Sequence, residues 1–330
     1  MECTLCTGAE APYGYQNLEI MIKTEHLCKK YQDKVVLDDL NMELGAGDIC
    51  GLIGANGSGK TTLLRILATL IKPTSGVVTI NGYDAVSSAD KVKSLIGYVP
   101  EIVSGYEDLK VWEYLDFFAT AYHIAKNHRT ALITDVLELT DLKAHQQMYI
   151  QVLSRGLKQR LCLAKTLLHD PLIFLLDEPA TGIDAKGRIE LRELLKELGA
   201  MGKTVVIASN ILSDLGEICN KIAFLNNGRL ITFGEIERVL AQMNIPRILE
   251  IKVLDEVEKA QAILEERYDI ANVDIKNSIL EVEYIGNPQE VYGVLDALVY
   301  AEIKVLAFYE NIRRLENAFL AFIGGFSQSV

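Results

Sequence analysis

Eight residues, Gly54-Ala55-Asn56-Gly57-Ser58-Gly59-Lys60-Thr61, constrain this chain more than any other feature. They follow Ile49-Cys50-Gly51-Leu52-Ile53, an apolar run without alternation that suits a strand buried on both faces. They precede Thr62-Leu63-Leu64-Arg65-Ile66-Leu67, whose apolar spacing suits a helix. A glycine-rich turn between a buried strand and a helix start is the setting a phosphate-binding loop requires. Glycines let successive backbone N–H groups curl toward one oxyanion, and the helix N-terminus adds favourable partial charge. Lys60 is then placed to reach the β- and γ-phosphates of a nucleotide, and the Thr61 hydroxyl to ligate Mg²⁺. Asn56, Gly57, Ser58, Gly59 and Thr62 complete the expected cradle. The competing reading is a plain glycine turn before a helix. It is disfavoured because all four fixed residues of the motif fall between strand and helix.

With 330 residues, the chain has room for roughly two domains. A hydrophobic share of 49% and a charged share of 24% suit an ordinary globular core. The net charge of -12 argues against a nucleic-acid partner held through its phosphates. No apolar run approaches the length of a membrane span, and the N-terminus lacks the basic start and apolar stretch of a signal peptide. Cys28, Cys50, Cys162 and Cys219 are scattered, which predicts a reduced cytosolic protein rather than a disulfide scaffold. Cys3 and Cys6 form a lone Cys-x-x-Cys without a second ligand pair, so no metal site is expected there.

Residues 1–20 read as an N-terminal extension without periodicity. From about 21 to 240, strand-like runs such as Leu172-Ile173-Phe174-Leu175-Leu176 and Thr204-Val205-Val206-Ile207-Ala208 alternate with helical patterns. That predicts an α/β domain with a mostly parallel sheet. A helical subdomain is expected at about 102–165, helical throughout from Leu109 to Val152. Its aromatics Trp112, Tyr114, Phe117 and Phe118 suit core packing, or alternatively a contact surface for another subunit. Residues 241–330 change pattern to β-α-β-β-α-β with a tail helix from Arg313 to Phe322, a ferredoxin-like α+β arrangement.

Asp177-Glu178 follow the apolar run at a strand's C-terminal end, where ligands bind in parallel sheets. There Asp177 would hold Mg²⁺ and Glu178 would polarise an attacking water. The competing reading is a surface acid pair, weakened by the phosphate loop upstream. Leu153-Ser154-Arg155-Gly156-Leu157-Lys158-Gln159 precedes a further helix, with Ser154 a natural N-cap and Gly156 permitting close backbone approach. By itself this is a capped helix start. In combination with the phosphate loop and Asp177-Glu178, the chain resembles a P-loop NTPase of the ABC ATPase type, with Leu153 to Gln159 as its signature sequence. The resemblance covers about Met21 to Gly234.

The resemblance implies ATP and Mg²⁺ as ligands and a second nucleotide-binding domain, identical or not, as partner. Two such domains sandwich two ATP molecules. Ser154, Gly156 and Gln159 of one then close over the γ-phosphate held by the other. It also implies that Tyr31 stacks on adenine, that Glu101 contacts Mg²⁺ or the attacking water, and that Asp184 in Ala180-Thr181-Gly182-Ile183-Asp184 communicates across the dimer. Two positions depart from the family's usual residues. Glu101 stands where Gln is usual and adds a negative charge near ATP. Asn210 stands where His is usual; its amide can donate a hydrogen bond but cannot carry a charge or relay a proton. Weakened rather than absent hydrolysis is therefore expected.

Residues 241–330, with Arg314-Leu315-Glu316-Asn317-Ala318-Phe319-Leu320 near their end, resemble the C-terminal domain of ATP-binding subunits in drug-, bacteriocin- or sodium-export systems. The implied function is to power export through a separate transmembrane permease, from the cytoplasmic face of the cell membrane. Two other readings compete. A soluble ABC ATPase acting on DNA or the ribosome is disfavoured by the acidic balance and the single ATPase unit. A regulatory nucleotide sensor is favoured only by Glu101 and Asn210.

Overall fold

The computed structural model describes residues 19–101, 105–210, 212–242, 246–277 and 279–310. The N-terminal extension with Cys3 and Cys6, and the tail helix with its Leu315-Glu316 pattern, lie outside these described residues. The chain divides into two compact units, one ending at Ile236 and one beginning at Glu237.

The first unit carries two sheets. The six-stranded sheet has the order β10-β9-β3-β8-β7-β6, built from β3 (Ile49–Ile53), β6 (Ile96–Val99), β7 (Ile173–Asp177), β8 (Thr204–Ala208), β9 (Lys221–Asn226) and β10 (Arg229–Glu235). Its pairings are parallel except for β9–β10. Every residue of β3, β7 and β8 is buried, which explains why their sequences run apolar without alternation. The second sheet is antiparallel, in the order β2-β1-β4-β5, from β1 (Ile20–Tyr31), β2 (Lys34–Gly45), β4 (Ser75–Ile80) and β5 (Tyr83–Asp84). Helices α1 (Lys60–Leu67) and α2 (Ala89–Leu95) share one core with both sheets, through Leu63, Leu64 and Val92 against Ile22, Leu40, Leu52 and Val206. Burial of these side chains is each worth about 1.5–3 kcal/mol and fixes where α1 starts.

The insert between β6 and β7 holds α3 (Val111–Ala121), α4 (Lys126–Leu139) and α5 (Arg155–Leu167). It is not helical throughout, as the sequence had suggested. His123 and Asp141, at φ 59° and 52°, turn the chain left-handed just after α3 and α4. Beyond α4 only two short 3₁₀ turns form, and Lys110 pairs with Tyr149 as a β-bridge. The insert's aromatics divide between both readings. Tyr114 is buried, while Tyr106, Trp112 and Phe117 are exposed, and Tyr106 stacks edge-on to Tyr114 with ring centroids 5.6 Å apart. After β7 come α6 (Ala185–Ala200) and α7 (Leu212–Ile218).

Helix α8 (Ile236–Gln242) begins at the boundary between the units. The second unit then runs β11 (Arg247–Val253), α9 (Val257–Glu265), β12 (Ile270–Lys276), β13 (Ile279–Tyr284), α10 (Tyr292–Tyr300) and β14 (Val305–Glu310). Its antiparallel sheet has the order β12-β13-β11-β14, the ferredoxin-like strand order. Leu249, Ile251, Leu280 and Val282 point to one face and pack with Ala260 and Leu264 of α9 and with Val294 and Leu298 of α10. A 3₁₀ turn, Pro288–Glu290, precedes α10.

Candidate functional site

Gly54 follows β3, and the loop from Gly54 to Gly59 leads into α1. Its glycines are required by contact as well as by conformation. A Cβ on Gly54 would collide with the Leu225 carbonyl and the Ser58 hydroxyl. Gly59 caps α1 at φ 113°, where a Cβ would lie 2.9 Å from the Val36 carbonyl. The loop thus hugs β9 and the start of β2.

The loop borders a cleft of about 740 Å³, the size of a nucleotide site. Asn56, Gly57, Gly59, Lys60, Thr61 and Thr62 form one wall; Glu101, Asp177, Glu178, Thr181 and Asn210 form the other. Lys60 is buried, and its ammonium donates to the Gly54 carbonyl at 2.6 Å, the Ala55 carbonyl at 3.3 Å and Asn210 Oδ1 at 3.2 Å. Burial lowers its pKa, and the charges of Glu178 and Asp177 oppose that shift. The Thr61 hydroxyl donates to Asp177 Oδ1 at 3.2 Å.

Asp177 ends β7, and Glu178 leaves the strand at φ 50°, a left-handed conformation that costs a non-glycine residue about 1–3 kcal/mol. Its own N–H donates to the Ala208 carbonyl at 2.8 Å, which extends the β7–β8 ladder by one bond. Its Oε2 accepts from the Asn210 N–H at 3.3 Å and from the Thr181 hydroxyl at 3.4 Å. Its Oε1 is buried and has no hydrogen-bond partner among the described residues. Burial raises the pKa of both acids. For Asp177 the Thr61 hydrogen bond opposes this and the Glu101 charge adds to it. For Glu178 the Asn210 hydrogen bond opposes it.

The structure therefore brings together Asn56 to Thr62, Glu101, Asp177, Glu178 and Asn210. It does not bring the other expected residues to this cleft. Tyr31 ends β1, 47% exposed, with the Lys29 ammonium 4.8 Å from its ring centroid. The cleft is bordered instead by Lys34, Val35 and Val36 of the following strand. Ser154 caps α5 through the Leu157 N–H at 3.3 Å, and Gly156 sits where a Cβ would lie 3.1 Å from the Gly182 carbonyl. Gln159 is buried and donates to the Pro100 carbonyl at 3.3 Å, turned inward rather than toward the solvent. Asp184 caps α6 through the Gly187 N–H at 2.9 Å. Thr181 and the bond from Asn210 Nδ2 to Asn56 Oδ1 at 3.1 Å were not foreseen. Asn56 lies far from Asn210 in sequence, and no local pattern announces that bond; Thr181 sits only three residues after Glu178, but its residue type does not mark it as a partner.

The donor set fits MgATP. A buried ammonium held only by carbonyl oxygens can exchange them for phosphate, and the unpartnered Ser58 hydroxyl and Glu178 Oε1 await partners. Among the described residues no group of three or more His, Cys, Asp or Glu is arranged to hold a metal alone. That suits Mg²⁺, which takes one or two protein ligands and completes its shell with water and phosphate.

Comparison with known proteins gives a consistent picture. The family model described as "ABC transporter" matches residues 37–181. The Bacitracin transport ATP-binding protein BcrA of Bacillus licheniformis is 33% identical over 312 residues, 93% of this chain and 99% of that protein. The Daunorubicin resistance ATP-binding protein DrrA3 of Streptomyces coeruleorubidus is 29% identical over 90% of this chain and 93% of its own length. Among solved structures, an ATP-binding subunit of an ABC transporter superposes with a TM-score of 0.63 at 26% identity, over 67% of this chain and 92% of that one. A dimeric ATP-binding cassette in a post-hydrolysis state with ADP and Pi gives 0.61 at 25%, over 66% and 99%.

Proposed function

The chain belongs to the ATP-binding subunits of ABC transporters, and from that membership we propose that it binds and hydrolyses MgATP to drive export through a separate permease. The observation that carries the hydrolytic part is the convergence of Lys60, Thr61, Asp177 and Glu178 on one cleft. The export part rests on full-length similarity to subunits named for bacitracin transport and daunorubicin resistance. No helix among the described residues is long and apolar enough to cross a membrane. A permease on another chain, with this subunit at the cytoplasmic face of the membrane, is consistent with that.

The residues divide the work. Lys60 leaves the Gly54 carbonyl and Asn210 Oδ1 to meet the β- and γ-phosphates, an exchange of neutral acceptors for anionic ones. Thr61, Asp177 and Glu101 would hold Mg²⁺, which when bound neutralises phosphate charge and orients the terminal group. Glu178 is anchored through Oε2, so its free Oε1 is the oxygen that polarises a water and takes its proton. Asn210 must turn its amide from Asn56 toward the γ-phosphate, where it donates a neutral hydrogen bond. A second protomer's Ser154 and Gly156 complete the site, since neither borders the cleft of its own chain. Dimer closure then moves the insert, whose exposed Tyr106, Trp112 and Phe117 offer an aromatic surface to the permease.

Steady-state ATPase assays and detergent co-purification from native membranes test this reading. Mg²⁺-dependent phosphate release that disappears in Glu178→Gln, and recovery of a multi-helix membrane protein with the chain, are expected. Nucleotide binding without turnover would favour the alternative, a regulatory ABC ATPase, to which Asn210 and Glu101 point.

A further inference from the structure

We propose that Arg155 is a positioning residue that competes with Mg²⁺ for the Glu101 carboxylate, so that the signature segment senses the metal state of its own chain's cleft. The inference rests on the MgATP reading above and adds a connection within one protomer.

Three contacts place Arg155. It is the first residue of α5, directly after the Ser154 cap, so its position is fixed by a helix start. Its stem lies over Gly182, at φ 81°, where a Cβ would come 2.9 Å from Arg155 Cδ and 3.2 Å from Cγ. Gly182 belongs to the loop joining Glu178 to Asp184, and a Cβ on Gly156 would lie 3.1 Å from the Gly182 carbonyl. From this anchored stem the guanidinium reaches Glu101, with Nη2 3.6 Å from Oε1. Glu101 in turn borders the cleft with Asp177 and Glu178. Arg155 therefore links the signature segment, the loop after Glu178 and an acid of the metal position.

The consequence is a competition. Without metal, Arg155 offsets part of the negative charge that three neighbouring carboxylates present to an incoming nucleotide. When Mg²⁺ takes Glu101, the guanidinium loses its partner while its stem stays anchored over Gly182. The signature segment then presents an unpaired cation beside Ser154. The pair is half-exposed, at 53% and 49%, so the effect is modest.

The test uses the full chain and AMP-PNP, measuring by calorimetry its affinity across a Mg²⁺ series and the Mg²⁺ concentration at half effect. Arg155→Gln is expected to lower that midpoint about two- to five-fold, the range an exposed ion pair supports. Arg155→Lys should return it toward wild type. In a Glu101→Gln background, Arg155→Gln should leave the midpoint unchanged, because the carboxylate for which Arg155 and Mg²⁺ compete is already gone. An unchanged midpoint in the single variant, or an equal shift with and without Glu101, overturns the proposal while wild-type MgAMP-PNP binding still stands. Failure of the wild type to bind AMP-PNP at all overturns the MgATP reading and this inference with it.

Discussion

At Glu178 the backbone and the side chain are held by different neighbours. The ladder bond to Ala208 fixes the main chain in a left-handed turn, and Thr181 with the Asn210 N–H fixes one carboxylate oxygen. Burial then favours the protonated acid and raises the pKa above the ordinary glutamate range. The base is lost as pH falls through that raised value. The acid limb of turnover should therefore lie at higher pH than an ordinary glutamate gives, and a pH profile of kcat reads it. Stability runs the other way, since the native state binds this proton more tightly than the unfolded chain does. Asn210 carries a second expectation. An imidazolium donating to phosphate gains charge assistance that an amide lacks, and about 1.4 kcal/mol off the barrier is tenfold in rate. Asn210→His should raise turnover about tenfold and introduce a limb near the imidazole range, about 6.5. An Asn210→His protein no faster than wild type would refute this account of Asn210. At this scale Lys60, Thr61, Asp177 and Glu178 were legible, because each sits in a short motif with its chemistry beside it. The Asn56–Asn210 bond was not, because it arises from the meeting of distant segments, and Thr181 was not, because a threonine in the loop after Glu178 carries no mark of its own.

Among elements, the join between α5 and α6 concentrates the most constraint. Arg160 of α5 bonds Asp141 at 2.9 Å and Glu190 of α6 at 2.8 Å. It thereby ties the segment after α4 to the helix capped by Asp184. The first turn of α6 has no room to spare. A Cβ on Gly187 would lie 2.5 Å from Ile183 Cγ2, 2.6 Å from Arg160 Nη2 and 2.9 Å from Asp184 Oδ1. Gly187→Ala should cost about 1–3 kcal/mol by overpacking. It should also disturb the cap that sets the position of Asp184. A guanidinium denaturation midpoint that falls with unchanged slope would show it. Arg160→Ala alone should cost about 1 kcal/mol, because both carboxylates stay partly exposed. In that background the Gly187→Ala cost should shrink, since one of three obstacles is gone. A fully additive pair would mean that Arg160 is not what Gly187 accommodates. The caps at Ser154 and the buried strands were legible from residue type and apolar runs. The breaks within the insert were not, because left-handed turns at His123 and Asp141 leave only weak marks in composition.

Across the whole molecule, the two groups of residues proposed above as halves of one site do not meet within the first unit. The cleft holds Lys60 and Thr61, while Ser154 and Gly156 stand apart at the start of α5, against the loop containing Gly182. The second unit's ferredoxin-like order was legible from alternating strands and spaced helices. If one chain pairs with an identical copy, each complete site takes its phosphate loop from one protomer and its signature from the other, as a two-fold interface requires. That arrangement can be tested without a structure of the complex. Lys60→Ala should inactivate the loop half, and Ser154→Arg the signature half, so each variant alone should be inert. A mixed dimer has one site carrying both lesions and one site carrying neither. Half of the dimers in an equal mixture are mixed, and each has one intact site of two. Mixing the inert variants should thus restore about one quarter of wild-type ATPase activity. Sites complete within a single chain would give no recovery, because every chain would carry its own lesion. Zero recovery, with dimers demonstrated by light scattering in MgATP, would therefore rule out a shared site between identical copies.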